Sequence, residues 1–197
     1  MNAAAEMRCR CGEVRAVVKD PSPSTVNRVI CYCDDCQAYA HQLGRADLLD
    51  IHGGTDIVQV APASLTFLQG QDKIAALRLS PKGLFRWYAR CCNTPVGNTV
   101  SPSIPFVGLV AQSFASDRQT PDQLFGQPVG AILGKFATRD AKVPLFRFGF
   151  PVFDRVNKHR YPLIGYQGVV NMVTEICNKF IDIKDETCED RYFELMR

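Results

Sequence analysis

No apolar run in this 197-residue sequence approaches the roughly 20 residues that a membrane-spanning helix needs. The opening stretch Met1-Asn2-Ala3-Ala4-Ala5 meets Glu6 and Arg8 before an apolar export segment can form. A cytoplasmic location and no membrane partner are therefore expected. Basic residues are scattered and the net charge is only +3. The dense Lys/Arg stripe that grips a phosphate backbone is missing, so no nucleic-acid partner is expected. Internal repeats and low-complexity tracts are lacking too. Gly and Pro are spread through the chain instead of gathered in a linker, and 46% of residues are hydrophobic. That composition predicts one compact, ordered domain, long enough to bury a core without disulfides.

What the chain has in abundance is cysteine. Nine is a high count and an odd one, which argues against a fully paired disulfide framework and for thiolates that hold metal or do chemistry in a reducing compartment. Seven lie within the first 92 residues. Cys177 and Cys188 stand apart and read as buried apolar side chains or inert surface thiols.

The first ~100 residues read as short strands between Gly, Pro, Asn and Asp clusters. Candidate strands are 13–19, with Val14, Ala16 and Val18 on one face, then 26–30, 57–60, 65–68, 74–79 and 84–88. A Ser80-Pro81-Lys82-Gly83 turn joins the last two as a hairpin, and such short, closely spaced strands suit antiparallel pairing. One helix is predicted after Cys33: Asp34 or Asp35 caps it, Cys36, Tyr39, Ala40 and Leu43 share a face, and Gly44 ends it. Beyond Val110 the periodicity weakens and the chain looks peripheral. Thr120-Pro121-Asp122 is a helix start. Residues 168–183 carry Val169, Val173, Ile176 and Phe180 at helical spacing, as in a core-packing helix or one that forms a homodimer. Residues 185–197 are charged enough to be a frayed end.

Zn²⁺ favours a tetrahedron of thiolate and imidazole ligands, and short Cys spacings let neighbouring side chains converge on one ion at little entropic cost. Three clusters fit. Cys9-Arg10-Cys11-Gly12 is a Cys-x-Cys pair with a glycine that permits a tight turn. Cys31-Tyr32-Cys33-Asp34-Asp35-Cys36 places three thiols in six residues. Cys91-Cys92-Asn93-Thr94-Pro95 follows a strand. Three readings of these clusters are open: zinc, whether purely structural or catalytic; a redox pair Cys33/Cys36 at a helix N-terminus, without the βαβ surroundings of thioredoxin-like proteins; and iron–sulfur ligation.

The order Cys-x-Cys-Gly, then Cys-x-Cys-x-x-Cys, then aromatic-x-x-x-Cys-x-Thr-Pro resembles the glutathione-dependent formaldehyde-activating enzyme family, to which the centromere protein V proteins belong. The resemblance covers about residues 7–110, leaving 111–197 as a C-terminal extension. It implies a mainly β fold of the Mss4-like, or β-tent, type with antiparallel sheets, zinc, and peripheral helices in the C-terminal part. It also implies a structural zinc with Cys9, Cys11 and Cys92 among its ligands and a catalytic zinc on Cys31, Cys33 and Cys36. Ala89 stands where the family has its remaining structural cysteine. Cys91 is the obvious substitute, yet adjacent residues point apart in an extended chain. The structural site is then Cys9/Cys11/Cys91/Cys92 in unusual geometry, three thiolates with a water or His, or a vacated site.

Three thiolates on Zn²⁺ leave one ligand position open, as at catalytic zinc. Such an electron-rich centre is a poor Lewis acid toward carbonyls but suits binding and ionising a thiol. By resemblance, the expected activity is that of a carbon–sulfur lyase joining a small thiol such as glutathione to an aldehyde, or cleaving the adduct. The rival expectation is a zinc-stabilised protein-binding module without chemistry. Around the clusters, Asp34 and Asp35 read as caps before proton carriers. His41, His52 and His159 read as ordinary histidines, with His52 the best local candidate for a missing ligand. Trp87 and Tyr88 read as core, and Arg45 and Arg90 as surface charge able to receive a carboxylate.

Overall fold

A computed structural model describes residues 4–81, 83–100, 106–114 and 119–137. In chain order the elements are β1 (Ala4–Arg8), β2 (Arg15–Lys19), β3 (Asn27–Cys31), α1 (Asp34–Gln42), β4 (Thr55–Val60), β5 (Leu65–Gln69), β6 (Ile74–Leu77), β7 (Phe85–Ala89), β8 (Thr94–Thr99), β9 (Val107–Val110), α2 (Pro121–Phe125) and β10 (Gly130–Ile132). The protein is mainly β, with two sheets and few helices. The first sheet has the order β1-β2-β5, the second β10-β3-β4-β9-β8-β7-β6. Every pairing is antiparallel except β10 with β3.

The core forms where two apolar faces meet. Ala5 and Met7 of β1, Val14 before β2, and Ala16 and Val18 of β2 alternate with exposed or half-exposed neighbours, the period-two pattern of a half-buried strand. They pack against Val58, Val60, Ile74, Trp87, Val96, Val107 and Leu109 from the long sheet. The opposite face of that sheet carries α1. Tyr39 and Leu43 pack on Leu77 and Leu79, and the Tyr39 hydroxyl donates to the Trp87 carbonyl at 2.6 Å.

The helix is where the sequence places it, with a different cap. Cys33, not Asp34 or Asp35, is the N-cap: its sulfur accepts the Cys36 backbone N–H at 3.3 Å. Asp34 and Asp35 instead fill the first turn, where a carboxylate favours the positive end of the helix. Gly44, at φ +65°, ends the helix as expected.

Four strands, β10 among them, escape sequence reading. One is β1. Another is β8, whose Pro95 and Gly97 read as strand breakers. Pro95 sits where β7 bulges between Trp87 and Tyr88, so its missing N–H interrupts a ladder that is already irregular. A Cβ on Gly97 would stand 2.3 Å from the Gly108 carbonyl oxygen, so β8 and β9 approach closely only because that residue is glycine. The remaining one is β9. Past Val110 the chain joins the core more than its weak periodicity announces. Phe114 and Phe125 are both buried and meet edge to face at 5.3 Å. The helix α2 starts at Thr120 with a capping box to Gln123. Arg28 ties α2 to the sheet, donating to Asp56 at 2.6 Å and to Asp122 at 2.6 Å.

Among the described residues, no helix is long and apolar enough to cross a membrane. The expected helix over 168–183, the charged stretch 185–197, and His159, Cys177 and Cys188 lie outside the described residues.

Candidate metal centres

Two groups of sulfurs converge: Cys9, Cys11, Cys91 and Cys92 in one, and Cys31, Cys33 and Cys36 in the other, each with all ligand atoms within 4.8 Å of one another. Four sulfurs around one ion at ~2.3 Å bonds form a tetrahedron with edges of ~3.8 Å. In the first group Cys9–Cys11 measures 3.5 Å, Cys9–Cys91 3.9 Å, Cys11–Cys91 3.3 Å and Cys91–Cys92 3.9 Å. In the second, Cys31–Cys33 is 3.4 Å and Cys31–Cys36 3.6 Å. Both sets fit a single ion. A polynuclear cluster spreads its thiolates over several irons and so holds them farther apart.

Each turn that presents a sulfur is built for it. The β1–β2 connection carries Cys9 and Cys11. Gly12 at φ +80° closes it, with its N–H on the Cys9 carbonyl at 2.9 Å, and the Val14 N–H donates to the Cys9 sulfur at 3.2 Å. The β7–β8 connection carries Cys91 and Cys92. The Cys92 N–H returns to the Ala89 carbonyl at 3.2 Å, and Asn93 takes φ +54°, a left-handed conformation that Asn tolerates. This reversal answers the objection that adjacent cysteines point apart. Cys91 and Cys92 sit in a tight turn, where successive side chains can face one point. Thr94 links the two turns: its hydroxyl accepts the Arg10 N–H at 3.0 Å and stands 3.1 Å from the Cys92 sulfur. Burial alone would raise the Cys92 pKa, but the Thr94 hydroxyl and the Cys11 backbone outweigh it and bring it down to about 6.

The second centre lies between the start of α1 and the outer face of the long sheet. Cys31 ends β3, and Cys33 and Cys36 flank the first turn of α1. Cys31 and Cys36 are buried, Cys33 half-buried. Sulfur contacts from Cys31 and Cys36, then the Cys36 N–H and the charge of Arg86, hold the Cys33 pKa far below the usual thiol range. Cys33 and Cys36, with burial, push Cys31 upward. The three thiols titrate as one coupled group, and a metal ion among them would take the place of protons.

Arg86, overlooked in the sequence, is 1% exposed. Its Nη1 lies 3.6 Å from the Cys36 sulfur, and its guanidinium sits over the Tyr39 ring at 5.5 Å. The available signal was a lone cation inside the otherwise apolar and aromatic run Leu84-Phe85-Arg86-Trp87-Tyr88. Thr94 carried no such signal, because a hydroxyl beside a cysteine turn is common.

The remaining candidates fall elsewhere. Among the described residues neither sulfur group includes a histidine: His41 is exposed, and His52 donates its backbone N–H to Asp50 in a loop. Trp87 is core and donates to Thr99 at 2.9 Å, and Tyr88 packs beside Leu77 and Leu79. Arg45 pairs with Asp47 at 2.9 Å, and Arg90 donates to the Asp72 carbonyl at 3.1 Å.

Comparisons with known proteins give three findings. The nitrogenase molybdenum-iron protein beta chain of Frankia alni is 42% identical over 78 residues, 38% of this chain and 15% of that protein. The same-named chain of Bradyrhizobium diazoefficiens is 46% identical over 63 residues, 30% of this chain and 12% of that protein. The matched part is thus a small fraction of those relatives' length. A crystal structure of a Rhodobacter sphaeroides protein, a structural-genomics target, aligns with a TM-score of 0.40 and 15% identity, covering 57% of this chain and 92% of that one. A family model described as "Family of unknown function (DUF6151)" matches residues 1–153, and the chain belongs to that family.

Proposed function

We propose that the chain is a zinc-dependent, carbon–sulfur lyase-like enzyme of the cytoplasm, acting on adducts of a small, glutathione-like thiol with an aldehyde. Its sheets are then of the Mss4-like type, and both centres hold zinc. The carrying observation is the unequal ligand count: four sulfurs gather at one centre, while among the described residues only three gather at the other. Four thiolates close a tetrahedron, as at structural zinc, and three leave a position for an outside ligand.

Cys31, Cys33 and Cys36 would hold the ion of the second centre. When bound, that ion would take up an incoming thiol and favour its ionisation without destroying its nucleophilicity. The chain's own part is positional. The α1 N-terminus fixes Cys33 and Cys36, and the packing of Val29, Ile57 and Val110 around Cys31 and Cys36 keeps water away from one side. In the forming direction the thiol sulfur bonds the aldehyde carbon, the carbonyl becomes a hydroxyl, and the thiol proton ends on that oxygen. Cleavage reverses each change, and no oxidant is needed.

The second reading is a zinc-stabilised protein-binding module, favoured by the four-cysteine centre, which alone does no more than hold two sheets together. Metal analysis of the wild type and Cys33→Ser, coupled to a thiol-plus-aldehyde adduct assay, separates the two. Expected are two zinc ions in the wild type, one in the variant, and adduct turnover only in the wild type. Wild-type protein that forms adduct no faster than buffer ends the enzyme reading. Because the matched relatives are named molybdenum-iron proteins, iron is measured beside zinc, and iron in place of zinc would overturn the choice of metal.

A further inference from the structure

Two buried side chains that border the three-cysteine centre carry polar atoms without hydrogen-bond partners. Arg86 Nε and Nη2 have none, although Nη2 lies 3.5 Å from Asp35 Oδ2, within ion-pair reach. Thr55 Oγ1 has none either. Thr55 is 5% exposed and is the direct cross-strand partner of Cys31, so the two side chains stand on one face of the sheet. Buried polar groups are almost always paired, and an orphaned one points to a ligand. Here both orphans are hydrogen-bond donors.

The charge count points the same way. A divalent ion with three thiolates carries one net negative charge, and an anionic fourth ligand would make it two. Such a site, walled by apolar side chains, favours a neutral fourth ligand unless a positive charge is built in. Asp35 is the acidic side chain within reach of the guanidinium, and it is 44% exposed, so solvent screens it more than it screens the sulfurs.

We propose that Arg86 is the fixed counter-charge that makes the three-cysteine centre select an anionic fourth ligand over a neutral one. The inference rests on the reading that this centre holds a divalent ion, and it adds which class of ligand completes it. Arg86 acts through the cluster's field and positions no reacting atom itself.

Cobalt(II)-loaded protein tests it. Azide serves as the anionic probe and imidazole as the neutral one, each followed by the change in the cobalt visible bands. The four-cysteine centre is closed to both and drops out of the difference spectrum. In the wild type azide binds. In Arg86→Met azide affinity falls at least about tenfold while imidazole affinity holds, and Arg86→Lys recovers part of the loss. Release of cobalt from this centre in Arg86→Met but not in Arg86→Lys supports the same conclusion, since only the charge differs in kind. An unchanged azide-to-imidazole ratio in Arg86→Met overturns the proposal, as does cobalt loss in both variants, which would make Arg86 a packing residue. Wild-type protein that takes up one cobalt ion, with no azide-sensitive band, removes the metal reading itself.

Discussion

The two sulfur centres differ in where they sit more than in what they are made of. The four-cysteine centre joins two hairpin turns from different sheets, the β1–β2 turn and the β7–β8 turn, and two of its sulfurs, Cys11 and Cys91, are exposed. The three-cysteine centre draws on a single stretch of six residues at the junction of β3 and α1, is mostly buried, and has a guanidinium against it. A centre that closes a loop of about eighty residues restricts the unfolded chain strongly. One that closes a loop of five restricts it hardly at all. A metal ion at the first would therefore stabilise the fold far more than one at the second.

The largest expected effect tests the first half of that contrast. Cys9→Ser removes a buried sulfur of the proposed four-cysteine site, and the protein should lose one metal ion and on the order of 5 kcal/mol of stability, read by chemical denaturation with metal content measured in parallel. That is less than the roughly 10–16 kcal/mol apparent for zinc-finger peptides, because the apolar core between the sheets persists without the ion. A change below about 1 kcal/mol with the metal gone would erase the distinction between the centres.

Next in size is a change that touches no sulfur. Arg28 is buried and bonded to Asp56 through two nitrogens and to Asp122 through a third. Arg28→Ala leaves Asp56 buried without its partner and should cost about 3–5 kcal/mol. Both metal ions should remain bound in folded protein. If one is lost, the contrast between centres is a property of overall stability and not of local geometry.

The reverse holds for Cys33→Ser: one ion lost, stability lowered by at most about 2 kcal/mol. Serine is a good N-cap, so the substitution keeps the start of α1 while removing the thiolate. A loss matching that of Cys9→Ser would show that both centres hold the fold together.

Much of this was legible in the sequence for reasons that can be named. Local signals were sufficient for α1, because Cys36, Tyr39, Ala40 and Leu43 repeat at helical spacing, and for the hairpin of β6 and β7, where the turn residues identify themselves. The three-cysteine group was legible because its members are sequence neighbours. What stayed hidden depended on distant partners. Strand β8 pairs through Gly97 and Asn98, residues with low strand preference whose fit comes from the facing Gly108 and Leu109. The cap at Cys33 outranked Asp34 because its sulfur lies where the helix N–H points, which residue type alone does not reveal. The turn that lets Cys91 and Cys92 converge needs Asn93 at positive φ, a conformation compatible with the sequence without being announced by it. Arg86 was obscured by its strand, since burial of a cation can be read only once the thiols beneath it are placed.

The smallest expected effect separates sulfur from carboxylate at low pH. Hydrogen bonding from Arg28, and then from Gln127, holds the Asp122 pKa below its ordinary value. A carboxylate depressed in the folded state adds stability that is fully present above its unfolded pKa of about 3.9 and is lost as pH falls through the lower folded value. Metal held by the thiolates of either centre would be released on protonation, also as pH falls, so wild-type stability alone would mix the two effects. Asp122→Asn isolates one. Its denaturation midpoint should lie slightly below that of the wild type at pH 6, and the two curves should converge below about pH 4, since metal loss acts on both proteins equally. A gap that stays constant down to pH 2 would mean that the Asp122 charge contributes nothing, and that the acid limb of stability belongs wholly to the sulfurs.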